Sequence, residues 1–293
     1  MKNLINYYYN LIIKTIHQKN DMYYFTINNN VYLFVPFKGN INYLDKIYRF
    51  LLSYNIYCHE IVYNKDNNIL TDVDNQFYCL LRVYYNNQKQ VSIDDIIFYN
   101  IPLRQKKTCN WFNLWCEKLN YYERQVREFG KKYPLIRDSF SYYDGLCETA
   151  ICYLNNIEVK EVDVYLNHRR IYPKMNLIDF YNPLDLMGDV RVRDACEYFK
   201  NKFFNNDNIL NKIEVYLLQV RLSYVEMILF FTRFLYPSYY FDMYDKIING
   251  YDLENKLNHY IDKINDYEIF LDELFKLLNK SYHLPPIEWL IKT

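Results

Sequence analysis

Apolar and polar positions change their period along the chain. Near the N-terminus the runs Met22-Tyr-Tyr-Phe-Thr-Ile27 and Val31-Tyr-Leu-Phe-Val35 are rich in aromatic and β-branched residues, and Asn28-Asn29-Asn30 lies between them. That pattern predicts a β-hairpin. Leu44, Ile47, Tyr48, Leu51 and Leu52 then recur at helical spacing. They predict an amphipathic helix from about Asn42 to Tyr54, packed on an antiparallel sheet through Leu44, Ile47, Leu51 and Leu52. Strand-like runs follow at Ile56 to Val62 and Phe77 to Tyr84, separated by the turn-rich segment Asn64 to Asn75.

From about Leu103 the pattern reads as helical almost throughout. Trp111, Leu114, Trp115, Leu119 and Tyr122 mark a helix that stops near Gly130. Further helices are expected over Tyr143 to Asn155, Arg193 to Phe204, Ile209 to Leu235 and Leu253 to Leu278, with a short strand at Val162 to Leu166. The apolar faces place Trp111, Trp115, Tyr143, Leu146, Phe231 and Phe241 in one core. The fold class is α+β: a small β-rich N-lobe over residues 1–100, with a mixed sheet and one helix, and a large helical C-lobe over residues 101–293. There is no internal repeat and no linker long enough to separate independent domains.

The chain carries 35 Lys plus Arg against 35 Asp plus Glu, a formal net charge of zero. A general nucleic-acid binder needs clustered positive charge, which argues against that class. Thirty-five tyrosines, with heavy use of Asn, Ile and Lys and only five glycines, follow the bias of an AT-rich bacterial genome, so the tyrosines do not by themselves signal ligand stacking. The seven cysteines are scattered and never form a Cys-x-x-Cys pair, which fits reduced, apolar thiols and disfavours zinc. Met1-Lys-Asn-Leu-Ile-Asn-Tyr7 lacks an uninterrupted apolar stretch, so no signal peptide is expected and synthesis is read as cytoplasmic. Val215 to Tyr236, the most apolar long segment, contains Gln219, Arg221, Glu226 and Arg233 and reads as a buried helix rather than a membrane span.

Candidate chemistry is concentrated between Val162 and Glu197. Val164-Tyr-Leu-Asn-His168-Arg169-Arg170 resembles the strand that ends in His-x-Asp in kinase-type phosphotransferases, and Leu177-Ile178-Asp179-Phe180 resembles their metal-binding Asp motif. Gly188-Asp189 with Arg193-Asp194-Ala195 is similar to the segment that follows in aminoglycoside phosphotransferase-like proteins. No Asp or Glu occurs from Val164 through Ile178, so the acid that accepts or orients the acceptor's hydroxyl proton is missing. His168 is a structural residue in that family. Arg169 and Arg170 suit either an anion or an ion pair to Asp179, Asp185 or Asp189 that pins the loop. Asp179 and Asn176 are the metal-ligand candidates, with Asp189 and Asp194 beside them; against this, Asp189 is placed to cap a helix starting near Arg191. The nucleotide-gripping parts are also displaced: Gly39 is the only glycine before Gly130, Lys38 lies beyond Pro36, and the Asn42 to Tyr54 helix holds Asp45 but no Glu.

Four further blocks narrow the resemblance. They are Trp111-Phe-Asn-Leu-Trp115-Cys-Glu117-Lys118-Leu119, Phe140-Ser-Tyr-Tyr-Asp-Gly145-Leu-Cys-Glu148-Thr-Ala150-Ile-Cys-Tyr153, Arg233-Phe-Leu-Tyr-Pro237-Ser-Tyr-Tyr-Phe241 and Leu284-Pro-Pro-Ile-Glu-Trp289-Leu290. In this order they resemble blocks of the YutH-like spore coat proteins, relatives of the CotS family. The resemblance implies a two-lobed protein kinase-like fold and a catalytically degenerate protein, a pseudokinase, with a structural or scaffold role in the spore coat or its assembly. Its partners would be other spore coat proteins, and no cofactor is expected. The alternative is a Mg-dependent small-molecule phosphotransferase of aminoglycoside phosphotransferase type, using ATP and Mg through Asp179.

Overall fold

The structure is a computed structural model that describes residues 1–19, 21–84, 89–158 and 160–290. The chain divides into two compact units, one formed by Met1–Ser92 with His168–Arg170 and Lys174–Met187, the other by Ile93–Asn167, Ile171–Pro173 and Gly188–Thr293.

In the first unit α1 (Lys2–Tyr9) is followed by β1 (His17–Lys19), β2 (Met22–Ile27) and β3 (Asn30–Pro36). β2 and β3 pair antiparallel with Ile27 opposite Asn30. The two turn residues, Asn28 at φ 48° and Asn29 at φ 64°, both adopt the left-handed region that a two-residue hairpin turn requires and that Asn tolerates. Next come α2 (Ile41–Ser53), β4 (Glu60–Val62), β5 (Leu70–Val73) and β6 (Gln76–Val83). The sheet order is β1-β2-β3-β6-β4, with β5 also on β6. Ile5 and Tyr9 of α1 pack in a cluster with Phe25, Tyr32, Phe34, Tyr78 and Leu80. The cross-strand partners Phe25 and Tyr32 stack at 5.3 Å.

Asn40 begins α2 by accepting from the backbone N–H groups of Asn42 and Tyr43 at 2.9 and 3.2 Å. The helix buries Leu44, Ile47, Tyr48 and Leu51, and the Tyr48 hydroxyl accepts from the Ile61 N–H at 3.0 Å. Leu52 does not join this face: it is 54% exposed. At 100° per residue the stripe through positions 44, 47, 48 and 51 leaves 52 at its margin.

The second unit opens with α3 (Ile93–Tyr99) and β7 (Pro102–Thr108). β7 corrects the expectation of helix from Leu103: it pairs antiparallel with β8 (Glu161–His168), with a register shift between Pro102 and Lys106 where Arg104 takes φ 52°. β9 (Leu186–Asp189) completes a three-stranded sheet ordered β7-β8-β9. Between β7 and β8 lie α4 (Trp111–Phe129) and α5 (Pro134–Tyr153); the latter starts nine residues earlier than its apolar pattern suggests, with Pro134 in the first helical turn. The short α6 (Leu177–Phe180) precedes β9, and α7 (Arg193–Phe204) follows it over the span expected from sequence.

The helix anticipated from Ile209 to Leu235 is two helices, α8 (Leu210–Val220) and α9 (Tyr224–Leu235). Arg221 ends α8 in the left-handed region at φ 49°, and Ser223 with Glu226 forms a capping box that restarts the chain. α10 (Ser238–Ile248), α11 (Asn258–Ile261) and α12 (Ile264–Tyr282) complete the chain, so Leu253 to Leu278 is likewise interrupted.

Every residue of α9 from Met227 to Leu235 is buried. α5, α7 and α12 pack around it. Lys200, 2% exposed, satisfies the last carbonyls of that helix by donating to Arg233 O and Tyr236 O at 3.1 and 3.4 Å, and it pairs with Glu197 at 2.8 Å. Trp111, Trp115, Tyr143, Leu146, Phe231 and Phe241 are all buried, as their helix faces predict. Among the described residues all seven cysteines are free, and no helix is long and apolar enough to cross a membrane.

Candidate functional site

The residues singled out from sequence fall into two clusters, one in each unit. In the first unit β8 delivers His168 into the interior, where it is 1% exposed. Its Nε2–H donates to the Phe180 carbonyl at 2.8 Å, and the two rings stack 4.2 Å apart. A second histidine holds the carbonyl two residues earlier: His59, fully buried, donates from Nε2 to the Ile178 carbonyl at 2.7 Å, and its backbone N–H reaches Tyr181 O at 3.0 Å. Burial pushes the His59 pKa down, opposed by the Ile178 carbonyl and the Asp179 charge. The carbonyls on both sides of Asp179 are therefore held by imidazoles from distant parts of the sequence.

Asn176 begins α6, its Oδ1 accepting from the Asp179 N–H at 2.9 Å. The Arg169 N–H donates to Asp185 O at 2.7 Å, and Asn182 donates to the Asp185 carboxylate at 2.9 Å. Burial pushes the Asp185 carboxyl up; His168 and Arg169 pull it down, and Asp179 adds to the rise. A Cβ at Gly39 would lie 2.6 Å from the tip of the Phe37 ring and 3.1 Å from a terminal nitrogen of Arg169, so a larger residue there would require these side chains to shift. Arg170 and Lys38 are exposed, Lys38 lying past the end of β3.

In the second unit Asp189 is 2% exposed and meets three cations, Arg193 at 2.6 Å, Lys107 at 3.3 Å and Arg233 at 3.5 Å. Burial alone would raise its pKa, but Arg233, Arg193 and Lys107 outweigh burial and hold it down at about 2. Asp189 does not cap a helix near Arg191, because α7 begins at Arg193 after Val192 without a side-chain cap. Its three cations all come from its own unit. Asn167 ties this segment down, donating to Tyr165 O, Asp189 O and Val190 O at 3.0, 3.2 and 3.2 Å and accepting from the Asp194 N–H at 3.3 Å.

Mg in such a site takes one or two protein oxygen ligands, with phosphates and water completing its shell, so Asp179 and Asn176 are the residues that would hold it. The Asn176 Oδ1 also caps α6, Asp189 is paired with three cations, and among the described residues no group of three or more His, Cys, Asp or Glu stands where it could hold an ion. Sequence reasoning missed His59, which lies in an irregular stretch before β4 with no motif around it. It named Asp185 only as one partner of three for the loop arginines.

A β-rich unit and a helical unit, with a buried His at the end of β8 hydrogen-bonded behind an Ile-Asp-Phe motif, define a kinase-like phosphotransferase fold. Solved structures agree. An aminoglycoside phosphotransferase from Alicyclobacillus acidocaldarius superposes with a TM-score of 0.67 over 93% of this chain and 94% of that one, at 10% identity. A spectinomycin phosphotransferase in complex with ADP and spectinomycin gives 0.52 over 97% and 94%, at 12% identity. Residues 2–274 match the family described as "Spore coat putative kinase YutH", and the chain belongs to that family. It is 23% identical over 277 residues to the endospore coat-associated protein YutH of Bacillus subtilis, covering 80% of each chain.

Proposed function

We propose that this protein is a pseudokinase: a kinase-fold protein without phosphotransfer activity that serves as a structural or scaffold component of the spore coat or its assembly, through contacts with other coat proteins. The observation that carries the reading is that several groups the chemistry would need are missing, displaced or engaged elsewhere. Arginines stand where the loop acid would be, and a guanidinium has no acceptor. The Asn176 amide serves a helix cap and Asp189 serves three cations. Lys38 lies outside the strand that would carry a nucleotide-gripping lysine. Membership of the YutH family and the coat association named for the Bacillus subtilis relative support the coat role.

Purified protein is then expected to show no Mg-dependent ATP turnover and no rise in melting temperature with ATP and Mg, since a ligand of the native state raises apparent stability by mass action. Arg170→Asp alone should not restore turnover. Phosphate transfer that vanishes in Asp179→Asn would overturn this reading in favour of a Mg-dependent small-molecule phosphotransferase. That second reading draws on the retained Asp179, whose charge bears on the half-buried Asp185. A fluorescent fusion excluded from the coat of sporulating cells would remove the structural role.

A further inference from the structure

α4 and α5 lie against each other in the second unit, and Asp144 of α5 stands at their contact with no cation to offset its charge. Its Oδ1 is buried and accepts no hydrogen bond, and among the described residues its side chain has no ion-pair partner. A carboxylate oxygen in that position has given up water and received no donor in return.

The charges around it add to the cost. Glu148 follows on α5 at the i,i+4 spacing that puts like charges side by side. Glu123 acts on Asp144 from α4, where Arg127 engages the Glu123 carboxylate at 2.9 Å. Lys118 of α4 acts on Cys147 and forms no ion pair with Asp144, and burial pushes the Cys147 thiol up, so it stays neutral. The charged groups of the other neighbours are engaged away from Asp144. On α9, Glu226 caps its own helix through Ser223 and Arg233 reaches Asp189; Glu254 accepts from the Ile136 N–H at 3.0 Å near the start of α5, and Glu268 of α12 acts on Tyr142. Burial first, then Glu148 and Glu123, push the Asp144 carboxyl up from 3.8 to about 6.

We propose that Asp144 is an acid-operated latch on the α4–α5 contact: ionised it weakens the packing of the two helices, and protonated it strengthens it. Protonation removes the charge that faces Glu148 and Glu123 and turns an acceptor-only group into one that can also donate. The native state binds this proton more readily than the unfolded chain, so the stabilising contribution is fully present below about pH 4 and is lost as pH rises through about 6. Asp189 acts in the opposite sense and at lower pH, so the two effects separate.

The test compares urea unfolding of the full chain and of Asp144→Asn between about pH 4.5 and pH 8, followed by tryptophan fluorescence, because Trp111, Trp115 and Trp289 all belong to the second unit. The amide copies the shape of the protonated acid. His59 and every other group that titrates in this range is common to both proteins, so the ratio of their folding equilibrium constants isolates Asp144. That ratio should move about tenfold in favour of the variant from the acid to the alkaline end; a shift of two pH units corresponds to about a hundredfold, and solvent screening of a half-buried group removes much of it. The Asp144 carboxyl resonance of ¹³C-aspartate-labelled chain, assigned by its absence in the variant, should titrate near pH 6 and move to lower pH in Glu148→Gln, a change at an exposed position. A ratio that stays flat over this range, or a carboxyl midpoint near pH 4, would overturn the latch. An unmoved midpoint in Glu148→Gln would overturn it as well.

Discussion

His168 Nε2 lies 2.8 Å from the Phe180 carbonyl with the two rings stacked, and His59 holds the Ile178 carbonyl at 2.7 Å, so the residues flanking Asp179 are fixed from two directions. A fixed backbone on both sides of an acid suggests a site kept for chemistry, yet the same contacts serve packing: both rings are buried and each carbonyl needs a donor. His168→Leu leaves Phe180 O unpaired in the interior. It should cost about 1–3 kcal/mol in urea unfolding. An unchanged midpoint would show that water replaces the imidazole.

Asp189 answers to pH in a defined direction. Its folded-state pKa is about 2 against 3.8 for a free carboxyl, so it binds protons less readily in the native state. The stability it contributes is fully present above about pH 4 and is lost as pH falls toward 2, a change of about 2 kcal/mol. Asp189→Asn should flatten that part of the stability curve. It should also cost about 3–5 kcal/mol at neutral pH, because Arg233 and Arg193 lose the buried carboxylate that they share.

Trp115 is 6% exposed and stacks on Tyr236 at 4.3 Å. Trp115→Ala should cost about 3–5 kcal/mol in chemical denaturation. A loss under about 1 kcal/mol would mean that α4 contributes little to the helical core.

Leu51 and Leu52 are neighbours in sequence with opposite fates, 0% and 54% exposed. Leu51→Ala should destabilise by about 2–5 kcal/mol, whereas Leu52→Ala should fall within about 0.5 kcal/mol of the parent. Similar losses for the two would contradict the orientation of α2.

Local chemistry was enough for the β2–β3 hairpin, for α2 and its apolar stripe, and for α7, because turn residues, caps and side-chain period act over a few residues. The Phe180-adjacent motif and the missing loop acid were legible for the same reason, as was the aromatic core of the helical unit. Tertiary context decided the rest. Pro102 to Thr108 is polar enough to read as anything exposed, and only its pairing with β8 makes it a strand. Whether apolar positions 209–235 formed one helix or two depended on Arg221 accepting a left-handed conformation, which no periodicity reports. The partners of Asp189 come from Lys107, Arg193 and Arg233, residues 82 positions before it, four after it and 44 after it. Charge acts through space rather than along the chain, so the sequence by itself determined which ionisable groups exist, and the packing of α7, α9 and β7 decided which of them are spent on each other.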